Sequence, residues 1–334
     1  MFLRASYISS SAYVIHVITL DAQFMKSFIP QRGVKRATTI PSYSHTARRH
    51  ISIKQLRDVC TLTDPSIEAF REHAFKPGTP MLLPAGYFEF IPAISKWFDS
   101  STSHITLNPT YLAPHGNTIV PLEATITDSN GLTTFTRSEQ PLAVFLAFTS
   151  ASQDMQSTTS DKKTSVYLAQ CPLNQLPQEL RLDLPIPEFV TQAGRGDIYD
   201  SSIWLGRAPT YTPLHKDPNP NLFVQLAGRK AVRIFAPAVG NEIFASVKNR
   251  LGDGGRGQMR GEEMMGGEER KVLEEVVWSE QVLGPADVVL GQEAVLEAGD
   301  GIFIPKGWWH SIKGVGEGVI GSVSTPAWCP GYGV

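Results

Sequence analysis

Thr212-Pro213-Leu214-His215-Lys216-Asp217, followed after Pro218-Asn219-Pro220 by Asn221-Leu222-Phe223-Val224-Gln225-Leu226-Ala227-Gly228-Arg229-Lys230-Ala231-Val232-Arg233-Ile234-Phe235, decides the fold. In an extended strand, residues two apart point to one face. His215 and Asp217 therefore bring an imidazole and a carboxylate to one point. The apolar runs 221–226 and 230–235 read as a hairpin around Gly228. With an even-length loop, Gln225 pairs with Lys230. Lys230 then shares a face with His215, Asp217 and Asn221. A cation held inside a barrel is costly unless it meets an anion. The distal carboxylate of 2-oxoglutarate would be that anion, its 2-oxo acid end chelating a metal, and Thr212 could add a hydroxyl hydrogen bond.

A third metal ligand has to come from elsewhere, and His310 is placed to supply it. It follows Gly299-Asp300-Gly301-Ile302-Phe303-Ile304-Pro305-Lys306-Gly307-Trp308-Trp309, a tight turn, a buried strand and a Pro/Gly break. Two histidines and one carboxylate on one face of an octahedron leave further positions open, the arrangement of non-haem Fe(II) oxygenases that use O2. A structural zinc site would close its positions.

Working outward, the second half is a series of short apolar runs punctuated by Gly, Pro and Asp: 165–168, 202–204, 222–226, 232–235, 294–296, 302–304 and 319–323. Such punctuation suggests a sandwich or barrel. Residues 251–270 carry seven glycines and four glutamates and offer little to bury, which reads as a mobile insertion. In the first half, Thr63-Asp64-Pro65 reads as a helix start with Ile67, Phe70 and Phe75 on its apolar side. A strand is expected at 81–83, a helix at 89–98, and strands at 105–107, 118–126 and 132–135. Residues 142–148 form a further apolar element, and 150–163 read as a loop.

The chain has 334 residues, 42 % of them hydrophobic, enough for one large domain with extensions or two modest ones. Its net charge of −2 gives no general pull toward nucleic acid or membrane. Cys60, Cys171 and Cys329 are too far apart for a disulfide framework or a paired zinc motif. Residues 1–57 differ from the rest, because Asp21 is the only acid among many Arg, Lys, Ser and Thr residues. That composition reads as a transit peptide with a cleavage neighbourhood at Arg48-Arg49-His50, and predicts a mitochondrial location, with cytoplasm or nucleus as alternatives. Met25 is an alternative start. A fusion of residues 25–58 to a fluorescent protein that stayed cytosolic would remove the idea. The organisation expected is a leader at 1–57, a helix and strand part at 58–160, and a catalytic barrel at 161–330.

Taken together these motifs resemble a known family. Thr212-Pro213-Leu214-His215-Lys216-Asp217, Asn221-Leu222-Phe223-Val224-Gln225, Gly228-Arg229-Lys230 and Phe235-Ala236-Pro237 are similar to the JmjC domain of small protein hydroxylases. These include the asparaginyl hydroxylase acting on hypoxia-inducible factor and the JmjC-only arginyl hydroxylases. Gly299-Asp300, Ile304-Pro305, Trp308-Trp309-His310 and Ser322-Val323-Ser324 resemble the family's closing motifs. Tyr167-Leu168-Ala169-Gln170, followed by Leu176-Pro177 and Ile186-Pro187, is especially like the arginyl-hydroxylase branch. The resemblance covers residues 165–328. It implies a mainly β protein with flanking helices, a double-stranded β-helix of the jelly-roll or cupin type. It assigns His215, Asp217 and His310 to Fe(II), and Tyr167, Thr212, Asn221 and Lys230 to 2-oxoglutarate. Ser324 stands where many relatives carry Asn near the cosubstrate.

The activity implied is an Fe(II)- and 2-oxoglutarate-dependent dioxygenase hydroxylating a protein or peptide side chain, with succinate and CO2 as co-products. A demethylase results if the oxidised carbon is an N-methyl group, and a base hydroxylase if the substrate is RNA. A cupin enzyme without 2-oxoglutarate has no need of Lys230 and Thr212. A non-catalytic binding module has no physical reason to keep two histidines and a carboxylate converging.

Overall fold

The computed structural model describes residues 55–101, 103–127, 133–154, 163–194, 201–252, 267–279 and 289–326. The expected leader falls outside them except for Gln55–Arg57. Gln55–Asp58 is a strand, paired in parallel with Val289–Leu296.

The catalytic half is built on eight strands: β1 (Ser202–Arg207), β2 (Thr210–Lys216), β3 (Asn221–Ala227), β4 (Arg229–Phe235), β5 (Val289–Leu296), β6 (Gly301–Ile304), β7 (Trp309–Val315) and β8 (Val319–Pro326). They divide equally between two sheets, in the orders β5-β4-β7-β2 and β6-β3-β8-β1, and neighbours run antiparallel. Successive strands change sheet except β4 and β5, which share one. This is the jelly-roll barrel the sequence implies. Gln55–Asp58 extends the first sheet. Met81–Leu82 extends the second at one edge, and Lys163–Pro172, Ile119–Thr127 and Thr133–Pro141 extend it at the other.

The alternation of β3 shows why it is buried along its whole length. Leu222, Val224 and Leu226 pack into the core of the N-terminal half, with Phe70, Trp97 and Leu180. Phe223 points the other way, into the barrel, with Val232, Ile234, Ile302, Ile304 and Ile312. Each large apolar side chain so buried contributes about 1.5–3 kcal/mol.

The outer face of the first sheet is covered by α2 (Pro237–Leu251) and α3 (Gly267–Trp278), which follow the N-terminal helix α1 (Leu142–Asp154). Ile243, Val247, Val272, Leu273, Val276 and Val277 pack there on Leu214, Phe235 and Trp309. Gly240 is required at the contact, since a Cβ there would lie 2.1 Å from the Trp309 ring.

Several expectations are corrected. The hairpin at Gly228 does not exist: β3 and β4 belong to different sheets, and the chain turns the corner at Gly228 with φ +64°. Lys230 pairs with Leu296 and Gly314, not Gln225. The expected insertion at 251–270 is helical at both ends, because α2 runs through Leu251 and α3 starts at Gly267; residues 253–266 lie outside the described residues. The apolar element at 142 is a helix that continues through Asp154, into the expected loop. The helix expected at 89–98 is confined to Pro92–Lys96. In the first helix the cap is Ser66, whose Oγ accepts from the Ala69 amide, rather than Thr63 or Asp64.

Candidate active site

His215 sits near the end of β2 and Asp217 just beyond it, while His310, the second residue of β7, lies directly opposite His215. Their ligand atoms lie within 4.8 Å of one another. Nε2 of His215 is 3.9 Å from Asp217 Oδ1, and Nε2 of His310 is 3.8 Å from Oδ2. Each ring is oriented by the main chain. His215 Nδ1 is 2.9 Å from the Pro213 carbonyl and His310 Nδ1 is 3.2 Å from the Trp308 carbonyl. A carbonyl only accepts, so Nδ1 carries the proton and each Nε2 keeps its lone pair toward Asp217. Burial, and then the neighbouring His215 ring, push His310 down to about 4, so it stays neutral at physiological pH. Two imidazoles and one carboxylate on one side of an open space suit a divalent first-row metal such as Fe(II).

A break in regularity brings Thr212 into the same space. β2 pairs His215 with His310 but Thr212 with Ile312, a register shift across Pro213 and Leu214. Pro213 has no N–H to lose from the ladder, so the irregularity falls where it costs least. Thr212 and His215, three residues apart, both line the cavity, while Leu214 packs outside the barrel.

At the other end of the cavity lies Lys230, 3 % exposed. Its ammonium donates to Ser322 Oγ at 2.7 Å and to the Tyr167 hydroxyl at 3.3 Å, and lies 5.1 Å from the Phe223 ring centre. No described carboxylate pairs with it, and burial lowers it from 10.5 to about 7. Burial, and then Glu123, hold the Tyr167 hydroxyl well above its ordinary range, so it keeps its proton. A third ammonium N–H remains for a ligand. Among the described residues lining the cavity, Asp217 is the only carboxylate. The donor set therefore fits a metal at one end and an anion at the other, which is the shape of a metal-chelated dicarboxylate.

All eight residues singled out from the sequence, Tyr167, Thr212, His215, Asp217, Asn221, Lys230, His310 and Ser324, line this one cavity of about 240 Å³. Asn221 and Ser324 bond to each other, and Asn221 also bonds to Asp217. Sequence reasoning missed three others. Ser322 anchors Lys230; its position two residues before Ser324 on one strand was a usable signal. Trp204 forms part of the wall beside Tyr167, on the neighbouring strand, with ring centres 6.2 Å apart. Gln170 also lines the cavity, with φ +52°, at a register shift between Leu168 and Cys171 that composition does not announce.

Residues 67–325 match the family model described as cupin-like domain. The chain is 28 % identical over 249 residues to lysine-specific demethylase JMJ30 of Arabidopsis thaliana, covering 74 % of this chain and 50 % of that protein. It is 26 % identical over 260 residues to Jumonji C domain-containing protein 5 of Drosophila melanogaster, covering 77 % and 57 %. It is 25 % identical over 253 residues to lysine-specific demethylase 8 of Xenopus tropicalis, covering 75 % and 48 %. The chain thus spans about half the length of these relatives.

Proposed function

The chain belongs to the cupin-like domain family, and from that premise we propose that it is an Fe(II)- and 2-oxoglutarate-dependent oxygenase of the JmjC type that hydroxylates a protein side chain, releasing succinate and CO2. The observation that carries the reading is the pairing of two unlike ends in one cavity: His215, Asp217 and His310 converge at one, and a buried lysine without a carboxylate stands at the other.

Bound Fe(II) supplies the coupling of 2-oxoglutarate decarboxylation by O2 to oxidation of a substrate C–H bond. The protein's part is position and dryness. His215, Asp217 and His310 hold the metal through two Nε2 atoms and a carboxylate oxygen. Lys230 reads the distal carboxylate through a charge-assisted hydrogen bond, with Tyr167 and Thr212 adding hydroxyls. Ser322 and Tyr167 take two of the ammonium's N–H groups, which directs the remaining one. Phe223, Ile304 and Ile312 exclude water between the two ends. The cavity opens at the metal end, where the side chains of His215 and Asp217 are 29 % and 32 % exposed, so a substrate side chain enters beside the metal.

Two of the relatives are named lysine-specific demethylases, which supports a protein substrate. The same site yields demethylation when the oxidised carbon is an N-methyl group. The test is mass spectrometry of candidate proteins after incubation with the enzyme, Fe(II) and 2-oxoglutarate. Hydroxylation adds one oxygen atom to an unmodified side chain. Consistent loss of methyl groups from methylated peptides, with no oxygen gained elsewhere, would replace hydroxylation by demethylation.

A further inference from the structure

The strand Thr133–Pro141 ends the larger sheet, and its outer edge pairs with nothing among the described residues. It runs nine residues and is paired with Ile119–Thr127 without a register shift. Such an edge is usually defended by shortness, a bulge or an interior proline, because its unpaired N–H and C=O groups template another strand. Here no bulge interrupts the pairing, and the proline, Pro141, is the last residue. Val120 and Leu122 turn one face of this strand pair into the core. The opposite face carries Phe135, Arg137 and Glu139, which stand across from Thr125, Glu123 and Pro121. Arg137 and Glu139 are exposed, and Arg137 reaches Glu123 at 3.8 Å.

We propose that this edge is the contact through which two copies of the chain pair, strand against antiparallel strand, about a two-fold axis at Ser138. The order of the side chains argues for a second copy. A two-fold at Ser138 sets Arg137 of each copy opposite Glu139 of the other, so two opposite-charge pairs close at once. An axis at Arg137 or at Glu139 would instead set like charges opposite each other. The same register sets Phe135 of each copy opposite Pro141 of the other, on the face where Pro141 stands across from Ile119. Ile119 is 52 % exposed and lines a shallow cleft with Glu139, Leu176 and Pro177. The second copy's Phe135 therefore meets an apolar surface that is exposed in the single chain. Charged and apolar groups are matched in one register, and the larger sheet continues from one copy into the other. One strand pair with two small apolar contacts buries less than the ~800 Å² per partner of a standard stable interface, so the dimer forms at micromolar concentration.

The test is sedimentation equilibrium of the full chain from about 1 to 100 μM, with hydrogen exchange of the 133–141 amides as a second readout. Wild type should pass from monomer to dimer across that range, and the outer-edge amides should exchange more slowly as it does. Glu139→Arg should weaken the dimer at least about tenfold and remove the concentration-dependent protection. Arg137→Glu should do the same. Mixed in equal amounts, these two variants should dimerise again, because each then meets its opposite charge. If Arg137→Glu does not fold by circular dichroism, since it sets a glutamate beside Glu123, then Glu139→Arg and Phe135→Ser decide, both shifting the equilibrium toward monomer. A wild type that stays monomeric throughout the range would overturn the proposal. So would a dimer that Glu139→Arg leaves at wild-type strength, which would put self-association on another surface. Protection of the 133–141 amides only on addition of a substrate peptide, in a chain that remains monomeric, would give the edge to a substrate strand instead.

Discussion

The two ends of the cavity are built on opposite principles. At the metal end, the side chains of His215 and Asp217 are about a third exposed and the groups are held by hydrogen bonds with the Pro213 and Trp308 carbonyls and the Asn221 amide. At the lysine end, Lys230 is sealed among Phe223, Tyr167 and Ser322 and meets only neutral oxygens and rings. An open end with fixed donors suits a centre that must exchange ligands and admit a substrate. A closed end with an uncompensated cation suits the reading of one carboxylate, because desolvation makes the lysine costly until the anion arrives.

The contrast can be broken at either end. Asp217→Ala should have the largest effect, abolishing metal-dependent succinate formation and weakening Mn(II) binding beyond the ~100-fold seen when only an outer partner of a ligand is lost. Lys230→Met should leave Mn(II) affinity near that of the wild type while weakening 2-oxoglutarate by at least about 2 kcal/mol, roughly 30-fold, by calorimetry. The same variant should melt at a higher temperature than wild type without ligand, since it removes a buried cation lacking an anion. Wild-type affinity for 2-oxoglutarate in Lys230→Met would remove the anion role of that end.

The pH dependence sharpens the comparison further. In the unliganded protein Lys230 titrates at about 7, below its ordinary 10.5. The burial penalty is then full below about pH 7, and unliganded stability rises as pH climbs from about 7 toward 10.5. A bound dicarboxylate pairs the ammonium and restores its proton. Affinity for 2-oxoglutarate should therefore be full below about pH 7 and fall above it, approaching about tenfold per pH unit. Titrations across this range should show the slope in wild type and lose it in Lys230→Met. The smallest effect is expected from Ser322→Ala, which removes one neutral hydrogen bond to the ammonium and should weaken 2-oxoglutarate by about 1 kcal/mol, a few-fold.

Much of the site was legible because its residues recur at strand spacing. His215 and Asp217 are two apart, as are Ser322 and Ser324, and the turn-strand-break before His310 is explicit in the sequence. Lys230 was placed inside the barrel by an argument that fails. Parity across a supposed hairpin pointed inward, but Gly228 turns a corner between sheets, and the true pairs of Lys230 are Leu296 and Gly314. Local pattern cannot separate a hairpin from a corner, since both need a residue with positive φ between two apolar runs. Thr212 shares the cavity with His215 only through a register shift that depends on the pairing with β7, a long-range fact. In α3, Val272, Leu273, Val276 and Val277 follow the charged run at Glu268, Glu269, Arg270 and Lys271, and their spacing marks a buried helix face. The mutual contact of Asn221 and Ser324 was not legible, because they lie 103 residues apart.

The most direct test of the account is calorimetric titration of 2-oxoglutarate into Mn(II)-loaded protein near pH 7, comparing wild type, Asp217→Ala and Lys230→Met. The account predicts stoichiometric binding to wild type, its loss in Asp217→Ala together with the metal, and its weakening in Lys230→Met with the metal retained. Binding of equal strength in all three would contradict it, because neither end of the cavity would then be holding the dicarboxylate.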